Sequence, residues 1–347
     1  MKIRLLTLLL FAGHILSAQI TFIPDSIFEQ KLIDLNYDIS HDGWVITDSI
    51  NSIDSLDISS FNGQTDKITD LTGIEGFSNL QYLNCSNNKF DTLNLNNNQY
   101  LKHIICASDS IEVLMTDSLF SLDKLQCNSN NITELNLLGN PSLTELGCWD
   151  NQLDNLNLSN NIYLGYLNCG ENNITSLDVS MLDLYDLRCQ NNAISTINLD
   201  NNYSLEWLSC YNNNLQNINL TVNTNLIVLN VGNVSSQPSI YNNDLNSLDL
   251  SNNCNITTFY SKGNANLECI QVCDISAANN WNTQNIDTQH FFSIDCNYTA
   301  TNEGSERNQK IISIKDIYGR ESDIHTNSFL FYIYQNGRVK KRIILDN

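Results

Sequence analysis

The sequence predicts a β-rich solenoid of about ten 21-residue coils, with a helical cap at its start and a small β module at its end. Two observations carry most of that reading. The cysteines at 85, 106, 127, 148, 169, 189 and 210 are spaced 21, 21, 21, 21, 20 and 21 residues apart, and one further step of 21 lands on the apolar Val231. In the same frame Leu83, Ile104, Leu125, Leu146, Leu167, Leu187, Leu208 and Leu229 stand two residues before the cysteine position. Self-similarity at a fixed period of this length is the mark of repeat architectures.

The chain opens with Met1-Lys2-Ile3-Arg4, an apolar run from Leu5 to Leu16, and Ser17-Ala18-Gln19. A basic start, a short apolar stretch and small residues form the layout of a secretory signal peptide, assigned to residues 1–18. The run is too short to span a bilayer, and no other segment approaches that length, so no transmembrane span is expected. Residues 19–52 form the N-terminal cap: Asp25 can cap a helix whose apolar residues Ile27, Phe28, Leu32 and Leu35 fall at helical spacing. The acidic stretch Asp38 to Gly43 reads as a solvated turn, because its spacing fits no calcium loop.

The solenoid itself spans 53–273. Residues two apart on a strand point the same way, so the Leu and Cys columns face one interior. No single coil can bury such a face, and stacking is required. The second half of each unit copies the first, as Ile132-x-x-Leu135-x-Leu137-x-x-Asn140 copies Leu122-x-x-Leu125-x-Cys127-x-x-Asn130. Both flanks of the coil are therefore expected to be extended, with little helix. Two asparagine columns, one through Asn130, Asn151 and Asn172 and the other through Asn98, Asn140 and Asn161, mark the turns. Their amides can satisfy backbone groups where the chain bends.

These columns resemble the leucine-rich repeat, specifically its nested bacterial class called IRREKO, in which Cys takes the third inward Leu position. The likeness covers about residues 53 to 273. Asp109, Thr116 and Leu119 depart from the columns in one coil, the coil around Val179 to Leu184 is a residue short, and about nine residues are inserted between Val234 and Asn243.

Residues 274–296 are expected to close the solenoid, and Phe291-Phe292-Ser293-Ile294-Asp295-Cys296 is similar to the closing segment of the same bacterial proteins. A linker, 297–309, leads to a module at 310–347, where apolar runs flank the hairpin signal Asn336-Gly337. Asp316-Ile317-Tyr318-Gly319-Arg320 and Lys340-Lys341-Arg342-Ile343-Ile344-Leu345 resemble the C-terminal sorting domain of the type IX secretion system of Bacteroidetes. That resemblance implies the secretion machinery as a partner, although the tail is short and lacks the opening Pro-Asn-Pro. Export also places the chain where disulfides form. Cys269 and Cys296 bracket the closing segment and are expected to pair. Cys273 falls beside the Cys254 turn if the frame continues, which gives the second pair. The structural ladder of Cys85, Cys106, Cys127, Cys148, Cys169, Cys189 and Cys210 is expected to stay reduced, because parallel side chains do not converge.

With 38 acidic against 17 basic side chains the net charge is −21, which repels the phosphate backbone of nucleic acid and excludes it as a partner. The inventory for catalysis is thin: His14, His41, His103, His290 and His325 are scattered, and no phosphate loop or nucleophile elbow occurs. No enzyme, cofactor or metal site is expected, and core-facing thiols in a line do not offer a tetrahedron to zinc. The positions flanking the inward Leu and Cys are free to vary, and they hold Tyr82, His103, Trp149, Tyr166, Tyr185, Arg188, Trp207 and Tyr211. Aromatic side chains on a rigid sheet suit recognition of protein or carbohydrate at the cell exterior. The reading is thus a secreted or surface scaffold, with a structural envelope component or spacer as its rival.

Overall fold

The computed structural model of the chain describes residues 19–61, 63, 65–232, 243–296, 311–315, 320–321, 328–334 and 339–344. The expected leader, the insertion after Val234, the linker, Asn336-Gly337 and the tail motif from Asp316 to Gly319 lie outside the described residues.

Ten three-residue strands form one parallel sheet. They run from Ser55–Asp57 through Tyr82–Asn84, His103–Ile105, Lys124–Gln126, Glu145–Gly147, Tyr166–Asn168, Asp186–Arg188, Trp207–Ser209 and Val228–Asn230 to Thr258–Tyr260. Each pairs with the next coil in strict register, so Leu83, Ile104, Leu125, Leu146, Leu167, Leu187, Leu208, Leu229 and Phe259 form one inward row. That row is fully buried, as are the seven ladder cysteines, which are all free thiols. The cysteine follows the strand, but its N–H still donates across the coil boundary, as Cys148 does to the Asn168 carbonyl at 2.8 Å.

The second flank carries no helix between residues 82 and 273 among the described residues, as expected. Among the described residues it pairs as strands between Thr92–Asn94 and Val113–Met115, and again where Leu248–Leu250, Cys269–Val272 and Phe291–Ser293 make a three-stranded parallel sheet. Between these places the inward residues stay buried, for example Leu135, Leu137, Leu156 and Leu158, without a ladder between strands. Asn136, Asn157, Asp178, Asn198 and Asn219 each accept the N–H two residues on, a local bond that Asn94 and Asp249 also make in the strands that do pair. Asp109, Thr116 and Leu119 do not break their columns: all three are buried in the frame positions they occupy.

Both asparagine columns are interior. Asn151 Nδ2 donates to the carbonyls of Cys127 and Cys148, at 3.0 and 3.1 Å, while its Oδ1 accepts the Ile132 N–H. One amide thus closes its own turn and ties it to the coil before, which is how a buried polar ladder is tolerated. Asn161 of the second column donates instead to two carbonyls of the coil before, those of Leu137 and Asn140.

At the N-terminal end, helix Ser26–Asp34 follows strand Ile20–Phe22, which pairs antiparallel with Trp44–Ile46. Asp25 caps the helix through the N–H groups of Ile27 and Phe28, and its other oxygen accepts from Thr69 of the first coil. Phe28 and Leu32 are buried, whereas Leu35 is the exposed C-cap and does not join the core face. At the other end Trp281 covers the last coil, its ring 4.6 Å from Phe259 and 5.2 Å from Phe292, with Nε1 donating to the Ile256 carbonyl. Cys269 pairs with Cys296 and Cys254 with Cys273, their Cα atoms 5.8 and 5.7 Å apart. Strands Ile311–Lys315, Ser328–Tyr334 and Val339–Ile344 form a separate antiparallel sheet in which Leu330 and Tyr332 are buried.

Candidate binding face

On the ten-stranded sheet the residues on either side of the inward Leu project outward, and register sets which of them are neighbours. One row runs Lys124, Glu145, Tyr166, Asp186, Trp207; the next runs Gln126, Gly147, Asn168, Arg188, Ser209. Arg188 is the only Lys or Arg between Lys124 and Lys262. It donates to Asp186 on its own strand through Nε at 3.0 Å and Nη2 at 2.8 Å. Its guanidinium carbon lies 4.7 Å from the Trp207 ring centre and 5.8 Å from that of Tyr166. The fork is therefore held by a carboxylate and bracketed by two aromatic rings from adjacent coils, a geometry that a lysine could not reproduce. The bond to Asp186 raises the Arg188 pKa further above its ordinary value.

On the strand beside this cluster Gly147 is buried, and a Cβ on it would meet Gln126 Cγ at 3.8 Å, an ordinary contact. A Cβ on Gly165 would meet the Tyr185 ring at 2.8 Å, so the absence of a side chain there makes room for the ring. Tyr185 and Trp207 remain 45% and 38% exposed, enough ring surface for a ligand to cover. Lys124 and Glu145 form an ion pair further along the same row, and the Glu145 carboxylate raises the Lys124 pKa.

Of the residues expected to bind, Tyr166, Tyr185, Arg188 and Trp207 are brought together. Trp149 and Tyr211 share a column at the turn edge, separated by Gly170 and Gln190, and both are half-buried. Tyr82 is four strands from Tyr166 and stands apart. Sequence reading missed Asp186, which orients the arginine, and Gly165, which makes room for the Tyr185 ring. The Asp-x-Arg spacing on a strand and the missing side chain at Gly165 were the available signals.

Burial pushes the ladder thiols up, to about 12 for Cys127 and Cys189, which leaves them as core filling. Among the described residues no group of three or more His, Cys, Asp or Glu could hold a metal ion, and no helix is long and apolar enough to cross a membrane.

No protein-family model matches the chain, and no curated protein matches it. Solved structures do. The functional domain of InlJ from Listeria monocytogenes, which includes a cysteine ladder, is 23% identical with a TM-score of 0.52, over 79% of this chain and 70% of that one. A leucine-rich-repeat protein of Leptospira interrogans is 23% identical at a TM-score of 0.55, over 62% of this chain and 56% of its own length. Internalin C2 of Listeria monocytogenes is 24% identical at 0.53, over 60% of this chain and 96% of that one. At these identities the likeness establishes the leucine-rich-repeat fold.

Proposed function

We propose that this chain is a binding scaffold that works outside the cell and holds a protein or glycan ligand against the sheet face of its solenoid. The observation that carries the reading is the Arg188 guanidinium bracketed by Tyr166 and Trp207 and held by Asp186, beside the exposed Tyr185 ring. Aromatic rings fixed on a rigid sheet bury area at little entropic cost, and a pre-oriented fork supplies directional donors. Residues 1–18 serve as the export signal, and the tail, through Arg320 and Lys340 to Leu345, as a type IX sorting signal. The two cysteine pairs support an oxidising destination.

A glycan array and a pull-down of proteins from the native cell surface, run with the wild type, Trp207→Ala, Arg188→Ala and Tyr82→Ala, test the reading. A ligand lost by the first two variants and kept by Tyr82→Ala supports it. Absence of any ligand for the wild type favours a spacer role.

A further inference from the structure

A second surface lies away from the sheet face, along the turns that follow the second flank. Asn98, Leu119, Asn140, Asn161, Leu182 and Asn202 occupy equivalent buried turn positions on six successive coils. Just after them Tyr100, Phe120, Ile162, Tyr163 and Tyr203 are each more than half exposed, with exposed Pro141 filling the coil between; in the short coil exposed Asp183 holds this place, and exposed Met181 stands on the other side of Leu182. Later coils carry Thr224 and Asn225 at these positions, so nothing in the fold demands apolar side chains there. An apolar ridge of this length on an acidic, asparagine-rich chain marks a surface that meets something.

Charge indicates what. Segments 90–100, 111–121, 132–142, 153–163, 174–184 and 194–204, which make up the second flank and the ridge, hold eight Asp or Glu and no Lys, Arg or His. Glu112, Glu134 and Asp154 are exposed on this flank. A second copy of the chain would bring the same carboxylates face to face, against a net charge of −21.

Spacing indicates its form. Coils repeat about every 4.8 Å, so five steps along the ridge cover about 24 Å. An α-helix laid along it presents its apolar stripe about every 5.4 Å and drifts from the coils by about 3 Å over the five steps, whereas one face of a strand repeats about every 6.7 Å and drifts by about 10 Å. We propose that this ridge docks a basic amphipathic helix of a partner protein, apolar stripe on the ridge and Lys or Arg over the acidic flank.

The test uses a synthetic Leu–Lys amphipathic helix of about 16 residues and its Leu–Glu counterpart, titrated against the intact protein by fluorescence anisotropy. Expected are binding of the Leu–Lys peptide that weakens with salt, and no binding of the Leu–Glu peptide. Phe120→Thr, Ile162→Thr and Tyr203→Thr together import the residue that the later coil carries at Thr224, and should cut affinity roughly tenfold or more at unchanged net charge. A thermal melt confirms that the variant folds, and Tyr203→Thr alone, with a smaller loss, serves if it does not. Equal affinity of these variants would reduce the effect to diffuse charge and overturn the proposal. So would loss of peptide binding in Trp207→Ala, which would place it on the sheet face, or a wild-type dimer in sedimentation that the triple variant dissolves.

Discussion

Asp109 accepts the backbone N–H of Asn88 from the preceding coil, at the position where Asn130, Asn151 and Asn172 close the neighbouring turns. An asparagine there donates to two carbonyls, as Asn130 does to those of Cys106 and Cys127. An ionised aspartate has no proton to donate, and Asp109 Oδ2 has no hydrogen-bond partner. Its coil also differs in having two residues of positive φ, Ser108 and Ser110, where most coils have one.

Burial raises the Asp109 pKa to about 7, opposed by the Asn88 N–H and by the charge of Lys67; Cys85 and Cys106 are the other titratable groups beside it. Because the native pKa lies above the unfolded value, the folded chain holds this proton longer. Stability from this group is full below about pH 4 and falls as the pH rises through about 7, by a few kcal/mol at most. Asp109→Asn, which restores both donors, should raise Tm at pH 8 by about 3 °C or more and much less at pH 5. Melts of the two proteins across pH check this; parallel curves would show that Asp109 does not titrate in the native state.

Leu146→Ala and Leu167→Ala should each cost about 2 to 5 kcal/mol, since both side chains are fully buried and their truncation opens a core cavity. Trp207→Ala, on the exposed face, should cost under about 1 kcal/mol. Trp149, half-buried at the turn edge, should fall between them. Urea titrations of the four variants rank them.

Arg188→Lys keeps the charge but loses both bonds to Asp186 and the planar stacking on Trp207. Binding of the ligand that the sheet face selects should weaken roughly tenfold while Tm stays within about 2 °C of wild type. A parallel drop in Tm would make the cluster a packing feature.

Peptide mapping without reduction should return Cys269 linked to Cys296 and Cys254 linked to Cys273. Native alkylation should leave the ladder thiols unmodified, since burial raises their pKa and removes access. Cys296→Ser should lower stability by about 3 kcal/mol through the freed closing loop. Detection of a Cys127 to Cys148 bond would contradict the parallel ladder.

The solenoid was legible in the sequence because each coil touches only its neighbours, at an offset of about 21 residues that the cysteine spacing states outright. Once one strand is placed, a side-chain period of two fixes every inward residue, and Leu83 and Cys85 carry Leu229 and Val231 with them. Asp25 as helix cap and the closing role of Cys269 and Cys296 followed from local chemistry of the same kind.

What the sequence could not determine lies on the outside, where packing does not dictate side-chain direction. Tyr82 and Tyr166 hold the same frame position, yet only Tyr166 meets an arginine, because its neighbour one coil on supplies Arg188 and the next supplies Trp207. Tyr185 finds room only because Gly165 beside it has no side chain, and the short coil puts Asp183 between Ile162 and Tyr203. The repeat fixes the inward faces because every coil satisfies the same burial. The outward faces depend on which unlike side chains stacking sets side by side, and that is decided only when the coils are assembled.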